Sequence, residues 1–387
     1  MGDHTSPHSL FVESCQDLMN HSRHIDKVMQ RQSTEQILNN RLRLKTSIDC
    51  VRWLAYQSCP FRGHDEGPTS KNPGNFREMV KLLASYNDKV ASTVLEKAPP
   101  KAKYISPKIQ KEILHIIASK VRKKIREDIG DSKFCILVDE ARDESKKEQM
   151  TLVLRFVDKM CILQERFFDV VSVKNTTSLT LKHELLAIFS FHTLNVENLR
   201  RQGYDGASNM RGEWNGLQAL FLQDCPYAYY VHCFAHRLQL ALVTASREVI
   251  LVHQFFSKLD FVVNIVGASC KRNGELLTAQ QAEISRLISI NELETGRGAK
   301  IKTGKAKIYY LVDRLIRLIL LLPVSTATTE RAFFVMKLTK TRLRNKMEDG
   351  FLGDCMLLHI EKEIAESFST DSIIDDFCSL KDRKAQF

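Results

Sequence analysis

The sequence predicts an α/β protein in which a mixed sheet with flanking helices lies between an N-terminal helical region and a C-terminal helical segment. Three β-rich runs at 134–138, 150–157 and 166–173 follow one another through short polar connections, which is typical of an antiparallel meander. The first run is continuously apolar, as expected of a central strand covered on both faces. Helical and strand-like segments then alternate, so βα units are expected to extend the meander into a mixed sheet.

The N-terminal region is predicted to be helical. Residues 35–95 have helical patterning around a loop at 63–74 that is rich in Gly, Pro, Asn and Ser. Isoleucine and valine then recur at three- and four-residue steps over 109–125, which predicts a long amphipathic helix with a Lys/Arg face.

The alternating part begins after the third β-rich run. Its predicted order is a helix at 178–192, a strand ending at Tyr204, a helix at 213–223, a strand at 227–232 and a helix at 234–247. Further helices are predicted at 250–266, 276–290, 311–322, 328–344 and 351–368, with a basic linker rich in Gly at 295–307.

Composition narrows the class of protein. The 387 residues are 43% hydrophobic and 27% charged, which is the balance of a soluble globular protein with room for two domains. The longest strongly apolar run near the C-terminus, 318–323, is far shorter than the roughly 20 residues of a membrane span, so no membrane partner is expected. The N-terminus lacks a signal-peptide pattern, and the ten cysteines are expected to be reduced thiols inside the cell.

Charge points to a polyanionic partner. The formal net charge is +11 and the pI is about 9.1, and a Lys/Arg-rich surface favours nucleic acid because binding releases counterions. Basic residues cluster at 101–124, 297–307 and 337–346. A solvated helix face is the alternative interpretation, above all for the first cluster.

Three acidic residues in different local settings are candidates for one metal site. Asp139 ends the first β-rich run, Asp205 lies in a Gly-flanked turn after a strand, and Glu330 lies at the start of a helix. Oxygen-only ligands suit Mg²⁺ or Mn²⁺, and two such ions can clamp an in-line phosphoryl displacement. Taken singly, each has a simpler explanation: a strand end, a turn former, and a favourable charge beside a helix dipole.

Four motifs together resemble hAT-superfamily transposases of the type with a TTF-type zinc finger, a DUF4371 region and a hAT C-terminal dimerisation region. They are Cys-Ile-Leu-Val-Asp-Glu-Ala-Arg-Asp (135–143), Gly-Tyr-Asp-Gly-Ala-Ser-Asn-Met (203–210), His-Cys-Phe-Ala-His-Arg-Leu-Gln-Leu (232–240) and Ser-Thr-Ala-Thr-Thr-Glu-Arg-Ala-Phe (325–333). The resemblance implies an RNase H-like core with the DDE metal triad on Asp139, Asp205 and Glu330. It also implies metal-dependent DNA strand cleavage and transfer, DNA as partner, and a nuclear location.

The resemblance extends to residues around the triad. Cys233 and His236 have Cys-x-x-His spacing, but no second ligand pair lies nearby, so Zn²⁺ is not expected. Cys233 is expected to be structural, and His236 to face the catalytic cleft or DNA. The basic residues expected near DNA are Arg331, Lys337, Lys340, Arg342 and Arg344.

The C-terminal part resembles the hAT dimerisation region, so a homodimer is expected. The apolar residues assigned to it are Leu311, Leu315, Leu318, Phe333, Leu352 and Leu357. A purely intramolecular core is the alternative.

Two departures from the family bear on activity. Only 125 residues separate Asp205 from Glu330, far fewer than the family's large helical insertion requires, and neither Trp53 nor Trp214 lies in the family's tryptophan motif. The TTF-type finger also looks truncated. The predicted divisions are a finger remnant expected to be disordered (1–30), a helical region (31–128), the RNase H-like core (129–250), a shortened insertion with a basic linker (251–307) and the C-terminal helical part (308–387).

Two functions remain open from the sequence. The first is a hAT-type transposase-like protein that binds DNA and dimerises, with an ancestral strand-cleaving centre. The alternative is a catalytically inactive, dimerising nuclear interaction protein. The shortened insertion and the lost finger favour an inactive enzyme, whereas the intact triad favours the first function.

Overall fold

The computed structural model describes residues 6–19, 33–67, 70–289, 314, 317, 318 and 320–381. The chain divides into two compact units. The helical unit comprises Met1–Arg122 and Val335–Phe387, and the sheet unit comprises Lys123–Phe334. The predicted C-terminal part, 308–387, is thus divided between the two units at Val335.

The element bounds follow the chain order. The first helices are α1 (Pro7–Met19), α2 (Thr34–Tyr56), α3 (Asn75–Tyr86), α4 (Asp88–Thr93) and α5 (Pro107–Ile129). The central elements are β1 (Phe134–Arg142), β2 (Glu148–Val157), β3 (Leu163–Val173), α6 (Ser178–Phe191), β4 (Leu199–Tyr204), α7 (Ser208–Arg211), α8 (Leu217–Asp224), β5 (Tyr229–His232), α9 (Phe234–Glu248), α10 (Ile250–Gly267) and α11 (Cys270–Ser289). The last helices are α12 (Ala327–Thr339), α13 (Asp349–Ile360), α14 (Lys362–Glu366) and α15 (Thr370–Ser379).

The sheet confirms the predicted architecture. Its five strands lie in the order β3-β2-β1-β4-β5. The first three form an antiparallel meander, and β4 and β5 join β1 as parallel strands. This is the order of an RNase H-like mixed sheet with flanking helices, because each parallel connection needs a crossover that covers a face of the sheet.

The core of the sheet unit forms around β1. Residues 134–138 are all buried, in agreement with a strand covered on both faces. Phe134 contacts Phe189 of α6 edge to face with ring centroids 6.1 Å apart, and Phe189 in turn contacts Phe221 of α8 at 6.3 Å. These aromatic contacts fix α6 and α8 against the sheet.

Several predicted helix boundaries differ from the structure. The helix predicted from 213 begins at Leu217, because the backbone folds back on itself between two glycines: a Cβ on Gly216 would lie 2.3 Å from the backbone nitrogen of Gly212. The helix predicted over 328–344 ends at Thr339, and the one predicted over 351–368 is divided into α13 and α14. The structure also places α1 in the segment that was expected to be disordered.

The helical unit has its own core. Helix α2 begins with a capping box, in which the Gln36 backbone N–H donates to Ser33 Oγ and the Ser33 N–H donates to Gln36 Oε1. Its apolar side chains pack with α13, where 352–358 are all buried, and with α15. Phe61 and Phe351 add an edge-to-face contact at 5.4 Å.

We expect Gly74→Ala to destabilise the helical unit by about 1–3 kcal/mol. Gly74 has φ +96°, and a Cβ there would lie 2.0 Å from the backbone nitrogen of Gly63, so the loop before α3 would have to move. Urea unfolding followed by Trp53 fluorescence in a Trp214→Phe background measures the effect. Gly350→Ala is the matched control, since nothing lies within 4 Å of its Cβ position and alanine is the better helix former. Equal stability of the two variants would contradict the prediction.

One helix in the described part of the chain is long and apolar enough to cross a membrane. Helix α10 has 18 residues with a mean hydropathy of 1.3, and none of this stretch is buried. A single helix of this kind is weak evidence for a span, because core helices of water-soluble proteins have the same length and hydropathy. The chain is therefore not a clear membrane protein.

A candidate acidic site at one edge of the sheet

The first two predicted carboxylates lie at the same edge of the sheet. Asp139 is near the carboxyl end of β1, and Asp205 directly follows β4. Strands β1 and β4 are parallel neighbours, so their carboxyl ends meet at this edge, where open α/β sheets commonly bind ligands.

The segment before α12 runs across the sheet and carries Glu330 to the same edge. Gly203 of β4 makes room for it, because a Cβ there would lie 2.8 Å from Pro323 Cβ. Arg155 of β2 donates two hydrogen bonds, 3.0 and 2.7 Å, to the Leu320 carbonyl. These contacts fix the direction in which the chain enters α12.

Two threonines attach the first turn of α12 to the strands. Thr328 Oγ1 donates to Glu165 Oε2 at 2.6 Å, and Thr329 Oγ1 donates to Asp139 Oδ2 at 3.3 Å. Glu330, the next residue, is exposed. The third predicted carboxylate therefore lies next to a residue that contacts the first.

Electrostatics places Asp139 within range of both Asp205 and Glu330. Burial raises the pKa of Asp139 to about 6. The backbone N–H of Glu140 and the hydroxyl of Thr329 oppose this shift by donating to the carboxylate, whereas the nearby charges of Asp205 and Glu330 add to it. The fold thus brings together residues that are far apart in sequence.

Glu140 is a member of this cluster that sequence reasoning missed. Burial and the charge of Asp205 raise its pKa to about 7, against a hydrogen bond from Asn209. One carboxylate oxygen, Oε1, is buried with no hydrogen-bond partner among the described residues. The sequence pattern that could have identified Glu140 is the pair of adjacent acids, Asp139 and Glu140, directly after the apolar run at 134–138.

All of these donors are carboxylate oxygens, which are the ligands that hard divalent cations prefer. Burial and mutual repulsion disfavour their charged forms, and a bound cation would offset that cost. Among the residues that the structure describes, no group of three or more His, Cys, Asp or Glu side chains converges closely enough to hold a metal ion. The triad shares an edge of the sheet, and Mg²⁺ or Mn²⁺ binding stays a prediction.

We expect the sheet unit, free of divalent cations, to lose on the order of 1–3 kcal/mol of stability between about pH 4 and pH 7. Asp139 and Glu140 have pKa values of about 6 and 7 in the folded state, above their ordinary values. Between these limits the folded state holds more protons than the unfolded chain, so stability is lost as pH rises through the folded values.

Exposure of buried Cys135 to a thiol reagent in urea with EDTA measures this pH effect. The Asp139→Asn/Glu140→Gln variant is expected to lose little stability between these pH values. It is compared with the unmodified chain at each pH, so that the pH dependence of thiol reactivity cancels. A stability that rises over this range in the unmodified chain would contradict the prediction.

Two histidines line the same edge. His232, at the end of β5, packs against the turn that holds Asp205, since a Cβ on Gly206 would lie 2.8 Å from His232 Nε2. Burial and then the neighbouring positive groups, His236 foremost, lower the pKa of His232. The His236 ring lies beside it with centroids 6.0 Å apart. The structure therefore places the predicted His236 near the acidic cluster, together with His232, which sequence analysis did not assign.

Cys233 joins α9 to the segment before α12. Its buried thiol accepts hydrogen bonds from the backbone N–H and the hydroxyl of Thr326, at 3.4 and 3.3 Å. Burial alone would raise the pKa of this thiol, but these hydrogen bonds and others from the backbone of Ala235 and His236 lower it. This position fits the structural role expected for Cys233.

The predicted basic residues have different environments. Arg331, Lys337 and Arg342 are exposed. Arg344 is half-buried and donates to the Ser58 carbonyl at 3.0 Å. Lys340 requires a correction: its side chain is fully buried and lies 3.7 Å from Asp349, so it is used inside the helical unit and does not present a cation to DNA.

The residues assigned to dimerisation lie mostly inside the chain's own units. Leu352 and Leu357 are completely buried in the helical unit, Phe333 is buried in the sheet unit, and Leu318 is half-buried. Leu311 and Leu315 lie outside the described residues. The first three side chains therefore pack in intramolecular cores, which was the alternative interpretation.

A known protein family matches more than half of the chain. Residues 1–216 match the family model described as DUF4371: ZMYM1/FAM200, RNase-like domain. The matched part includes Asp139, Glu140 and Asp205 and ends before β5 and Glu330.

Two curated relatives share sequence similarity with the chain. The human protein named 52 kDa repressor of the inhibitor of the protein kinase is 24% identical over 265 residues, covering 62% of this chain and 34% of that protein. The mouse protein of the same name is 25% identical over 264 residues, covering 65% and 33%. The chain thus matches about a third of the length of these relatives.

The family match covers more than half of the chain, and its RNase-like domain agrees with the RNase H-like sheet: the protein belongs to the DUF4371 family of ZMYM1/FAM200 RNase-like domains.

Proposed function

We propose that this protein derives from a hAT-type transposase, acts in the nucleus by binding DNA, and keeps at the edge of its sheet the centre that ancestrally cleaved and transferred DNA strands. The observation that carries the proposal is the electrostatic coupling of Asp139 to Asp205 and Glu330 across the RNase H-like sheet. If one of these acids had only a structural role, the three would not need to lie at the same edge of the sheet.

The chain's residues have distinct tasks in the proposed centre. Asp139, Asp205 and Glu330 would hold Mg²⁺ or Mn²⁺, which when bound supplies charge neutralisation and activation of water or a 3′-hydroxyl. Thr329 keeps the Asp139 carboxylate oriented toward α12. His236 lies beside His232, which packs against the turn of Asp205, and it would contact a phosphate or hydroxyl of the strand. Arg331 follows Glu330 at the exposed start of α12, where a cation attracts the DNA backbone.

Nuclear DNA binding has two further supports. The net charge of +11 favours a polyanion, and the exposed cations Lys337 and Arg342 belong to the basic cluster at 337–346. The curated relatives are named as repressors, which fits a nuclear regulator. Fluorescence microscopy of the tagged full chain tests the location, and exclusion from the nucleus would contradict it.

Nicking of supercoiled DNA in Mg²⁺ or Mn²⁺ tests the centre itself. Activity that is lost in both Asp139→Ala and Glu330→Ala, and kept in Glu197→Ala, would support it. Glu197 is an exposed carboxylate just before the amino end of β4, at the opposite edge of the sheet, so its loss removes the same charge without touching the cluster. Nicking by the Asp139→Ala variant at the unmodified rate would contradict the assignment.

A catalytically inactive, dimerising nuclear interaction protein is the second candidate. Helices α9 to α11 favour it, because large apolar side chains along them are exposed, and extended apolar surface favours association. The most exposed of these are Leu238, Ile250, Leu251, Phe255 and Phe261. No nicking in either metal, with DNA binding retained, would select this candidate.

Self-association through the C-terminal part is proposed with either candidate. Since Leu352 and Leu357 are buried, the candidate contact is Leu343, which at 98% is the most exposed large apolar residue among those described in this part. Light scattering is expected to give a dimer for the full chain and more monomer for Leu343→Ser, with Leu380→Ser as the control. A monomer at every concentration would exclude self-association.

A further inference from the structure

A polar cavity lies at the amino ends of β4 and β5, at the edge of the sheet opposite the acidic cluster. It encloses about 870 Å³, within the usual size range of ligand sites. By strand rise its arginines on β4 are roughly 15 Å from Asp205. We define this basic aromatic pocket by Lys133, Arg200, Arg201, Tyr227, Tyr229 and Arg314; one acidic residue, Asp131, also lines the cavity.

Positive charge is concentrated in the pocket. Burial and then the charges of Arg200 and Arg314 lower the pKa of Lys133, which shows that these cations lie within electrostatic range of one another. The Arg200 guanidinium donates to the carbonyls of Glu197 and Leu199, and that of Arg201 donates to the Arg200 carbonyl. No carboxylate of the described residues forms an ion pair with Arg200 or Arg201. Neither guanidinium charge is therefore neutralised by such a pair, and both can attract an anionic ligand.

Each of the two arginines is paired with a tyrosine. The Arg200 guanidinium lies over the Tyr227 ring at 5.3 Å, and that of Arg201 lies over the Tyr229 ring at 5.2 Å. Arg201 and Tyr229 are cross-strand partners in the parallel β4–β5 pair. These cation–π contacts orient the guanidinium groups and the rings together.

The rings remain open to solvent. Tyr227 is 61% exposed and Tyr229 is 55% exposed. Exposed aromatic rings beside arginines form the surface on which nucleic-acid bases stack while the arginines contact phosphates.

We propose that the basic aromatic pocket binds single-stranded nucleic acid, with Tyr227 and Tyr229 stacking on bases and Arg200 and Arg201 contacting the phosphodiester backbone. The proposal adds a second site to the proposed function and does not depend on strand cleavage at the acidic cluster.

A single strand suits the pocket better than a duplex does. Bases in a duplex are stacked on one another and present only their edges, so the two rings would have no base face to contact. A concave site also accepts a flexible strand whose bases turn inward, whereas a rigid duplex needs an extended groove. Two tyrosines provide two stacking surfaces, which favours a strand over an isolated nucleotide.

Fluorescence anisotropy with the full chain in EDTA tests the site, because metal-dependent chemistry at the acidic cluster is then absent. The probes are a labelled thymidine 12-mer, an abasic strand of the same length, and a 12-base-pair duplex. We expect the thymidine strand to bind more tightly than either of the others. Tyr227→Ser and Tyr229→Ser are each expected to weaken its binding by roughly 5- to 150-fold, with little effect on the abasic strand.

Conservative and charge variants separate stacking from electrostatics. Tyr227→Phe and Tyr229→Phe keep the rings and are expected to bind like the unmodified chain. Arg200→Gln/Arg201→Gln is expected to reduce the slope of log K against log salt by about 0.7 for each phosphate that the variant no longer neutralises. The charge-matched control, Lys146→Gln/Lys174→Gln, removes two exposed cations outside the pocket and is expected to bind within twofold of the unmodified chain.

Three results would overturn the site: equal loss of binding in the charge-matched control and in the arginine variant, equal affinity for the thymidine and abasic strands, or tighter binding of the duplex. The serine variants replace exposed rings, and an unchanged far-ultraviolet circular dichroism spectrum shows that they fold. Nicking is measured in Mg²⁺ or Mn²⁺ with the Asp139 and Glu330 variants, whereas binding to this pocket is measured in EDTA with the tyrosine and arginine variants. A failure of the acidic centre and a failure of this pocket are therefore distinguishable.

Discussion

Replacing Asp354 by alanine is expected to lower the free energy of unfolding of the helical unit by about 3–5 kcal/mol. Asp354 of α13 is buried, and its Oδ1 accepts a hydrogen bond from Arg122 Nη1 of α5 at 2.8 Å. Arg122 is buried as well. The variant removes one member of a buried ion pair, and breaking a buried ion pair from one side costs far more than a surface pair contributes.

Urea unfolding followed by Trp53 fluorescence measures this loss in a Trp214→Phe background, since Trp53 belongs to the helical unit and Trp214 to the sheet unit. The control is the double variant Arg122→Met/Asp354→Leu, which replaces the ion pair by apolar side chains. It is expected to be more stable than Asp354→Leu alone, because both members of the buried ion pair are replaced together. If the double variant is the less stable of the two, the ion pair is not the cause.

The same carboxylate also gives the helical unit a pH dependence. Asp354 Oδ2 lies 3.0 Å from His115 Nδ1, and this hydrogen bond raises the pKa of His115. A raised pKa means that the stabilisation is complete below about pH 6.5, the ordinary value, and is lost as pH rises through the folded value. The effect is small because the His115 side chain is mostly exposed, and it is expected to disappear in Asp354→Ala.

Replacing Phe189 by alanine is expected to destabilise the sheet unit by about 3–5 kcal/mol. The Phe189 side chain is fully buried between Phe134 of β1 and Phe221 of α8. Removing it takes away two aromatic contacts and leaves a cavity between α6 and the sheet, which a packed core fills only in part.

Phe191 on the same helix is the matched control. It is 80% exposed, so Phe191→Ala is expected to change stability by no more than about 0.5 kcal/mol. The measurement is the urea concentration at which buried Cys135 of β1 becomes reactive toward a thiol reagent, read by mass spectrometry. A similar shift in the two alanine variants would show that burial at Phe189 does not hold the sheet unit together.

Most of the sheet was predictable from the sequence. The apolar run at 134–138 predicted a central strand, and the polar connections after it predicted the meander, because burial on both faces and short loops leave few other arrangements. Helix boundaries were less predictable where tertiary contacts decide them. The start of α8 at Leu217 depends on the close approach of Gly212 and Gly216, which periodicity does not report.

The acidic site was predictable in its parts but not in its assembly. Asp139, Asp205 and Glu330 were identified by their local settings and their motifs, whereas their coupling depends on Pro323 packing against Gly203 and on Thr329 donating to Asp139. Glu140 was missed because consecutive strand residues point to opposite faces, so a strand pattern predicts one inward acid, not two.

The sequence by itself determined the class of the protein: an RNase H-like mixed sheet, a basic surface charge and a set of three candidate carboxylates, since these follow from local patterns and composition. Only the tertiary structure decided which of those residues lie near one another. It coupled three distant acids at one edge of the sheet, buried Lys340 and Leu352 inside the helical unit, and brought Arg200 and Arg201 to two exposed tyrosines at the other edge. The physical reason is that burial and electrostatic coupling depend on distances across packed elements, which the chain fixes only when it folds.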